Sequence, residues 1–160
     1  MLPVASPLVD DLDTVRKLED AGAAAITMHS VFEEQITREQ VASFVHTEAH
    51  GQSFAEALTY FPSPEAFRLG PNEYLEHLRK VKQAVSVPVI GSLNGYTTGG
   101  WLEYAKLIQD AGADALELNV FSLGTNPQES GAQMELRTVQ MVQAVRKAVR
   151  LPVAVKLSPY

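Results

Sequence analysis

The chain has 160 residues, 46% hydrophobic and 20% charged, an ordinary globular composition with enough apolar residues for one domain with a real core. A net charge of −6 with no basic stripe argues against nucleic acid or an anionic membrane as a partner. The absence of cysteine excludes disulfides, Cys-ligated metal and a catalytic thiol, and no apolar run approaches the roughly 20 residues of a membrane span.

Met1-Leu2-Pro3-Val4 lacks a basic n-region and a long apolar h-region, so no secretory signal is read there and a cytoplasmic protein is expected. Residues 2–6 read as a first strand with Ala5-Ser6-Pro7 at its exit. Residues 10–20 read as a helix carrying Val15, Leu18 and Ala21 on one face, and 24–28 as the second strand. The stretch 31–70 then breaks the rhythm with a polar helical segment around 37–48, Gly51, an apolar run from Phe54 to Phe61, and Pro62 and Pro64. An excursion of this length after a strand forms either a wall over a site or a surface elaboration.

Gly70-Pro71-Asn72-Glu73 opens the next helix, whose stripe is Tyr74, Leu78, Val81 and Val85. Residues 87–93 read as the third strand. Thr97-Thr98-Gly99-Gly100 leads into a helix through Trp101, Ala105 and Ile108. Residues 115–118 read as the fourth strand, 121–131 as a loop rich in Gly, Asn, Ser and Pro, and 134–149 as a helix with Leu136, Val139, Val142 and Val145 inward. Residues 153–155 read as the fifth strand.

Two cassettes repeat. Ala111-Gly112-Ala113-Asp114-Ala115-Leu116-Glu117-Leu118-Asn119 ends a helix, turns on a glycine and runs an apolar strand into a polar residue; residues 20–30 do the same and exit on His29 and Ser30. Residues 85–94 match 149–158, each a helix end, a proline and a buried strand, exiting on Asn94 and Lys156. The pattern expects His29, Asn94, Asn119 and Lys156 on one rim, at the strand ends that face ligand in parallel α/β folds.

Five strands and about four helices in alternation predict an α/β fold with an all-parallel sheet. A (βα)8 TIM barrel needs about 250 residues. The chain stops on Pro159-Tyr160 just after a strand, so residues 1–160 read as a single partial TIM-barrel domain, about five of eight units, with an inserted segment at about 31–70. The alternative is an open five-stranded sheet of flavodoxin type, a class that usually ends on a helix covering the last strand.

Ala5-Ser6-Pro7, Met28-His29-Ser30, Ser92-Leu93-Asn94-Gly95, Glu117-Leu118-Asn119 and Pro152-Val153-Ala154-Val155-Lys156-Leu157-Ser158-Pro159 together resemble the dihydroorotate dehydrogenase family of FMN-containing barrels. The last two pieces are the most specific, and the resemblance covers nearly the whole chain. It is nearest the dihydroorotate dehydrogenase-like branch, in which His29-Ser30-Val31-Phe32-Glu33-Glu34-Gln35 replaces a Lys-Ser-Thr stretch.

The resemblance implies an FMN oxidoreductase of pyrimidine biosynthesis that moves a hydride between a dihydropyrimidine-type C–C bond and the flavin. It implies that Ala5 and Ser6 touch the flavin, that Ser30, Asn94 and Asn119 bond its ring, and that Lys156 sits near the N1/C2 carbonyl edge. His29, Asn119 and Asn126 fall to the substrate; no metal is implied. Ser122 aligns without gaps on the position where the family carries a Cys or Ser base. The Asn-rich stretch that grips orotate in the family is absent from 54–64, which puts the substrate in question.

Read without the family, Lys156 is a solvated lysine near a chain end, Asn94-Gly95 a turn dipeptide, and Ser122 a loop serine. A non-flavin lyase or isomerase using Lys156 as a Schiff-base amine is the competing enzyme class. A catalytically silent fragment is the third reading. An incomplete barrel leaves open edges, so self-association or pairing with the missing barrel half is expected.

Overall fold

The computed structural model describes residues 6–32, 71–95, 97–120 and 127–157. Most of the expected first strand, with Ala5, lies outside these residues, as do 33–70 of the inserted segment and the loop positions Ser122 and Asn126.

Ser6 caps a 3-10 turn, Pro7–Asp10, where its Oγ accepts from the Leu8 N–H at 3.3 Å. Asp11 then caps α1, Leu12–Asp20, by accepting from the Thr14 N–H at 2.9 Å. The one helix expected over 10–20 is thus a turn and a helix, divided at the extended backbone of Asp11. After Ala21, Gly22 takes a φ of 89°, a conformation costly for any residue with a Cβ, and the chain enters β1, Ile26–Phe32.

Helix α2, Pro71–Ala84, opens on a proline whose missing N–H is not needed in a first turn. Strand β2, Val89–Asn94, follows Pro88. Helix α3, Thr98–Asp110, is capped by Thr97, whose Oγ1 accepts from the Gly100 N–H at 3.1 Å, and ends in Ala111 and Gly112, with φ 94°. Strand β3 is Ala115–Val120.

Helix α4, Gly131–Ala148, starts three residues before the expected 134. A reciprocal cap explains the difference: the Gln133 N–H donates to Ser130 Oγ at 3.3 Å, and the Ser130 N–H donates to Gln133 Oε1 at 2.7 Å. Strand β4 is Val153–Leu157.

The four described strands pair in parallel in the order β1-β2-β3-β4, with helices on one face. Period-2 alternation divides each strand between two faces. Toward the helices, β1 offers Ile26, Met28 and Val31, β2 offers Val89 and Leu93, and β3 offers Leu116, Leu118 and Val120, all buried. They meet Val15, Leu78, Val81, Trp101, Ala105, Ile108, Met141 and Val145 in one core. Gly91 belongs to this layer by necessity, because a Cβ there would collide with Ile108 Cγ2.

One expectation about the core fails. Leu136 and Val139 on α4 are 56% and 50% exposed, whereas Met141 and Val145 are buried. The apolar stripe of α4 is longer than the surface that the described residues offer it. Val155 and Leu157 on β4 are likewise exposed, at 38% and 64%.

The end of the sheet away from the strand exits is locked by Asp114. Its carboxylate accepts from Lys82 Nζ at 2.5 Å and from the Val89 N–H at 2.7 Å, joining α2, β2 and the entry to β3. Burial opposes its ionisation, but the Lys82 contact and the Val89 N–H outweigh that and hold its carboxyl below the usual range.

Candidate functional site

The face opposite the helices carries the polar residues of the strands. Register places Ser30 beside Ser92, Ser92 beside Glu117, and Glu117 beside Ala154. One level nearer the strand ends, Phe32 pairs with Asn94 and Asn119 with Lys156. Leu93 pairs with Leu118, so the next residues, Asn94 and Asn119, also share that level.

The lower level is a continuous hydrogen-bonded chain. Ser30 Oγ lies 2.7 Å from Ser92 Oγ, and Ser92 Oγ donates to Glu117 Oε1 at 3.1 Å. Lys156 Nζ reaches back along β4 and donates to the same Oε1 at 2.8 Å. Four side chains from four strands are therefore linked across the sheet. The carboxylate receives both a hydroxyl and an ammonium, the pairing that lets a charge lie in a half-buried place.

Tyr74, at the start of α2, fixes this chain from behind. Its hydroxyl accepts from the Ser92 N–H at 3.0 Å and donates to the Ser92 carbonyl at 3.3 Å. It does so where the β1–β2 ladder is irregular: between Thr27 and Ser30, β1 holds one residue more than β2 does. Burial pushes the Tyr74 phenol well above its usual range; the Ser92 N–H opposes this and the nearby Glu117 charge adds to it. Tyr74 is accordingly neutral at physiological pH.

That irregularity corrects the expectation for His29. Strand β1 does not exit there but runs on to Phe32, so His29 does not stand on the level of Asn94, Asn119 and Lys156. In the bulge its Nδ1 comes to 2.7 Å from Asp10 Oδ1, off the ideal N–H axis. Its ring meets that of Tyr74 edge to face, with centroids 5.3 Å apart and planes at 80°.

The structure thus brings Ser30 and Lys156 into one chain and sets Asn94 and Asn119 on the level of Lys156. Ser6 is the cap of the 3-10 turn, and its Oγ is engaged there with the Leu8 N–H. Among the described residues, neither the Asn94 nor the Asn119 side chain has a hydrogen-bond partner. Sequence reasoning did not single out Glu117, Ser92, Tyr74 or Asp10 as site residues. Glu117 and Ser92 carried a usable signal: each stands two residues before an exit asparagine, hence on the same face of its strand.

No protein-family model matches the chain. A protein assigned as dihydroorotate dehydrogenase A (fumarate) in Aeropyrum pernix is 33% identical over 93 residues, covering 55% of this chain and 29% of that protein. The catalytic subunit of dihydroorotate dehydrogenase B (NAD(+)) from Methanocaldococcus jannaschii is 29% identical over 157 residues, 91% of this chain and 45% of that one. The chain spans less than half the length of these curated relatives.

Among solved structures, dihydrodipicolinate synthase from Cyanidioschyzon merolae with lysine bound superposes with a TM-score of 0.57 at 19% identity, over 95% of this chain and 39% of that one. The chloride-inhibited synthase from Acinetobacter baumannii complexed with pyruvate gives 0.56 at 18% identity, again over 95% and 39%. At such identity the likeness speaks for the fold alone. No helix among the described residues is long and apolar enough to cross a membrane. By fold the chain consists of parallel βα units of a TIM barrel, and by sequence it is similar, over part of their length, to dihydroorotate dehydrogenases.

Proposed function

We propose that the chain supplies the N-terminal βα units of the catalytic barrel of an FMN-dependent oxidoreductase resembling dihydroorotate dehydrogenase, acting on a C–C bond of a dihydropyrimidine-type small molecule in the cytoplasm. The observation that carries this reading is Lys156, held by Glu117 at 2.8 Å and level with Asn119 at the strand ends. Two primary amides beside a fixed cation suit a flat ring whose edge alternates N–H and C=O groups, since each amide both donates and accepts.

The donor set therefore fits FMN. Asn94, Asn119 and Ser30 would hold the ring and Lys156 its carbonyl edge; when bound, FMN supplies the two-electron acceptor. Lys156 contributes a positive charge preorganised where negative charge develops. Glu117 holds that charge in place, and Ser92 and Ser30 hold Glu117. Ala5, Ser6, Ser122, His29 and Asn126 keep their proposed roles: flavin contact for the first two, base for Ser122, substrate contact for His29 and Asn126.

In this reading the exposed apolar residues of α4 and β4, Leu136, Val139, Val155 and Leu157, are covered by the remaining barrel units, and the 160-residue chain alone is inactive. Barrel phosphate sites lie after strands seven and eight, which belong to those units.

The second reading treats Lys156 as a Schiff-base amine, a role that a lysine at a barrel strand end suits. The ion pair with Glu117 counts against it, because an ammonium has no lone pair with which to attack a carbonyl. Purification of the full-length protein separates the two. Co-purified FMN supports the oxidoreductase; a colourless protein in which borohydride traps an α-keto acid on Lys156 supports the lyase.

A further inference from the structure

We propose that Glu117 is a positioning residue that both fixes Lys156 and offsets its charge, so that the pair, and not the lysine alone, sets how firmly the bound flavin holds electrons. The inference rests on the reading of this end of the sheet as an FMN site, and adds to it the control of the flavin's reduction potential.

Glu117 owes its position to its strand. Leu116 and Leu118 on either side are fully buried in the core, so alternation turns Glu117 to the opposite face. Its Oε1 accepts from two donors, Ser92 Oγ at 3.1 Å and Lys156 Nζ at 2.8 Å. Ser92 is fully buried, and Tyr74 binds its main chain twice. Ser30 Oγ supports the Ser92 hydroxyl from β1 at 2.7 Å. The carboxylate thus has an anchor on β2 that does not depend on the lysine, and it can hold the lysine in turn.

The pair is also placed to be felt electrically. The Glu117 side chain is 19% exposed and that of Lys156 39%, so water screens the two charges only in part. A hydride carries two electrons and one proton, and its arrival adds one negative charge to the ring. An ammonium near the carbonyl edge favours that charge, and a carboxylate beside the ammonium opposes it. Glu117 lies one level deeper than Asn119 and the Lys156 main chain, so it weakens the pull of the lysine without cancelling it. With Glu117 uncharged, the whole charge of Lys156 would act, and the flavin would hold its electrons more firmly.

Equilibrium reduction of the FMN-loaded full-length protein against a reference dye measures the potential apart from any turnover. Glu117→Gln keeps an oxygen acceptor for Lys156 and Ser92 but removes the charge. It should shift the two-electron equilibrium toward reduced flavin by roughly tenfold, about 30 mV. Lys156→Gln should shift it the other way, and the double variant should fall between the two single ones. A glutamate that serves packing alone would change the melting temperature and leave the potential as it was. An unchanged or lower potential in Glu117→Gln therefore overturns the proposal. Where that single variant does not fold, a double variant no higher in potential than Lys156→Gln overturns it equally. Either result in a protein that binds FMN leaves the oxidoreductase reading standing, whereas a full-length protein that takes up no FMN overturns both.

Discussion

Lys156 pairs in register with Asn119, yet its ammonium bonds Glu117, 2.8 Å away and one level deeper in the sheet. The side chain therefore folds back along its own strand instead of extending into solvent. A carboxylate placed beside Ala154 leaves room for it, because that position of β4 carries only a methyl group.

A double-mutant cycle measures this contact. Lys156→Met and Glu117→Gln, alone and together, should give a coupling energy of about 1 kcal/mol in urea unfolding, the upper range for a partly exposed ion pair. The same cycle between Lys156 and Asn119, neighbours in register with no bond between their side chains, should give a value near zero. Equal coupling in both cycles would mean that Lys156 does not fold back.

Gly91→Ala should destabilise the chain by about 1–3 kcal/mol, the usual cost of overpacking a closed core, because the new methyl meets Ile108 Cγ2. Replacing Ile108 by alanine in the Gly91→Ala background should remove most of that penalty. Urea midpoints of the two single variants and the double variant check it; additive losses would place the strain elsewhere.

Asp114 sets one part of the acid stability. Its folded carboxyl lies below the ordinary aspartate range, so the native state binds its proton less readily than the unfolded chain does. That contribution is present above the unfolded value and disappears as the pH falls through the lower, folded one. The stability difference between the unaltered chain and Asp114→Asn should therefore be constant at neutral pH and shrink below about pH 4. A difference that grows on acidification would contradict the pairing with Lys82.

The barrel grammar was legible because it is written locally. Gly22 and Gly112 mark helix ends that need positive φ, and Pro88 and Pro152 stand just before buried strands. The faces of β2 and β3 were legible for the same reason, since alternation alone puts Asn94 and Asn119 opposite the core. The end of β1 was not legible. Its last residues, Ser30 to Phe32, read as the opening of the inserted segment, and the bulge that turns His29 toward Asp10 is set by pairing with β2 and by Tyr74, 45 positions further along the chain. The stripe on α4 misled for a related reason: periodicity reports a face that can be buried, and Leu136 and Val139 have no described neighbour to bury it. Ser130 and Gln133 have the spacing of a capping box, a signal present in the sequence that the expected start at 134 did not use.

Whether Lys156 acts on a flavin held at this end of the sheet is tested most directly by rapid-mixing reduction of the full-length protein followed at about 450 nm, where oxidised flavin absorbs and bleaches. Lys156→Ala should slow reduction by roughly 10²–10³ while changing substrate binding little, because a charge that matters as negative charge develops belongs to the transition state. Lys156→Arg should recover only part of the rate, a planar fork being a poor replacement for a point charge. An unchanged rate in Lys156→Ala would remove Lys156 from the site, and a full-length protein that binds no flavin would contradict the account as a whole.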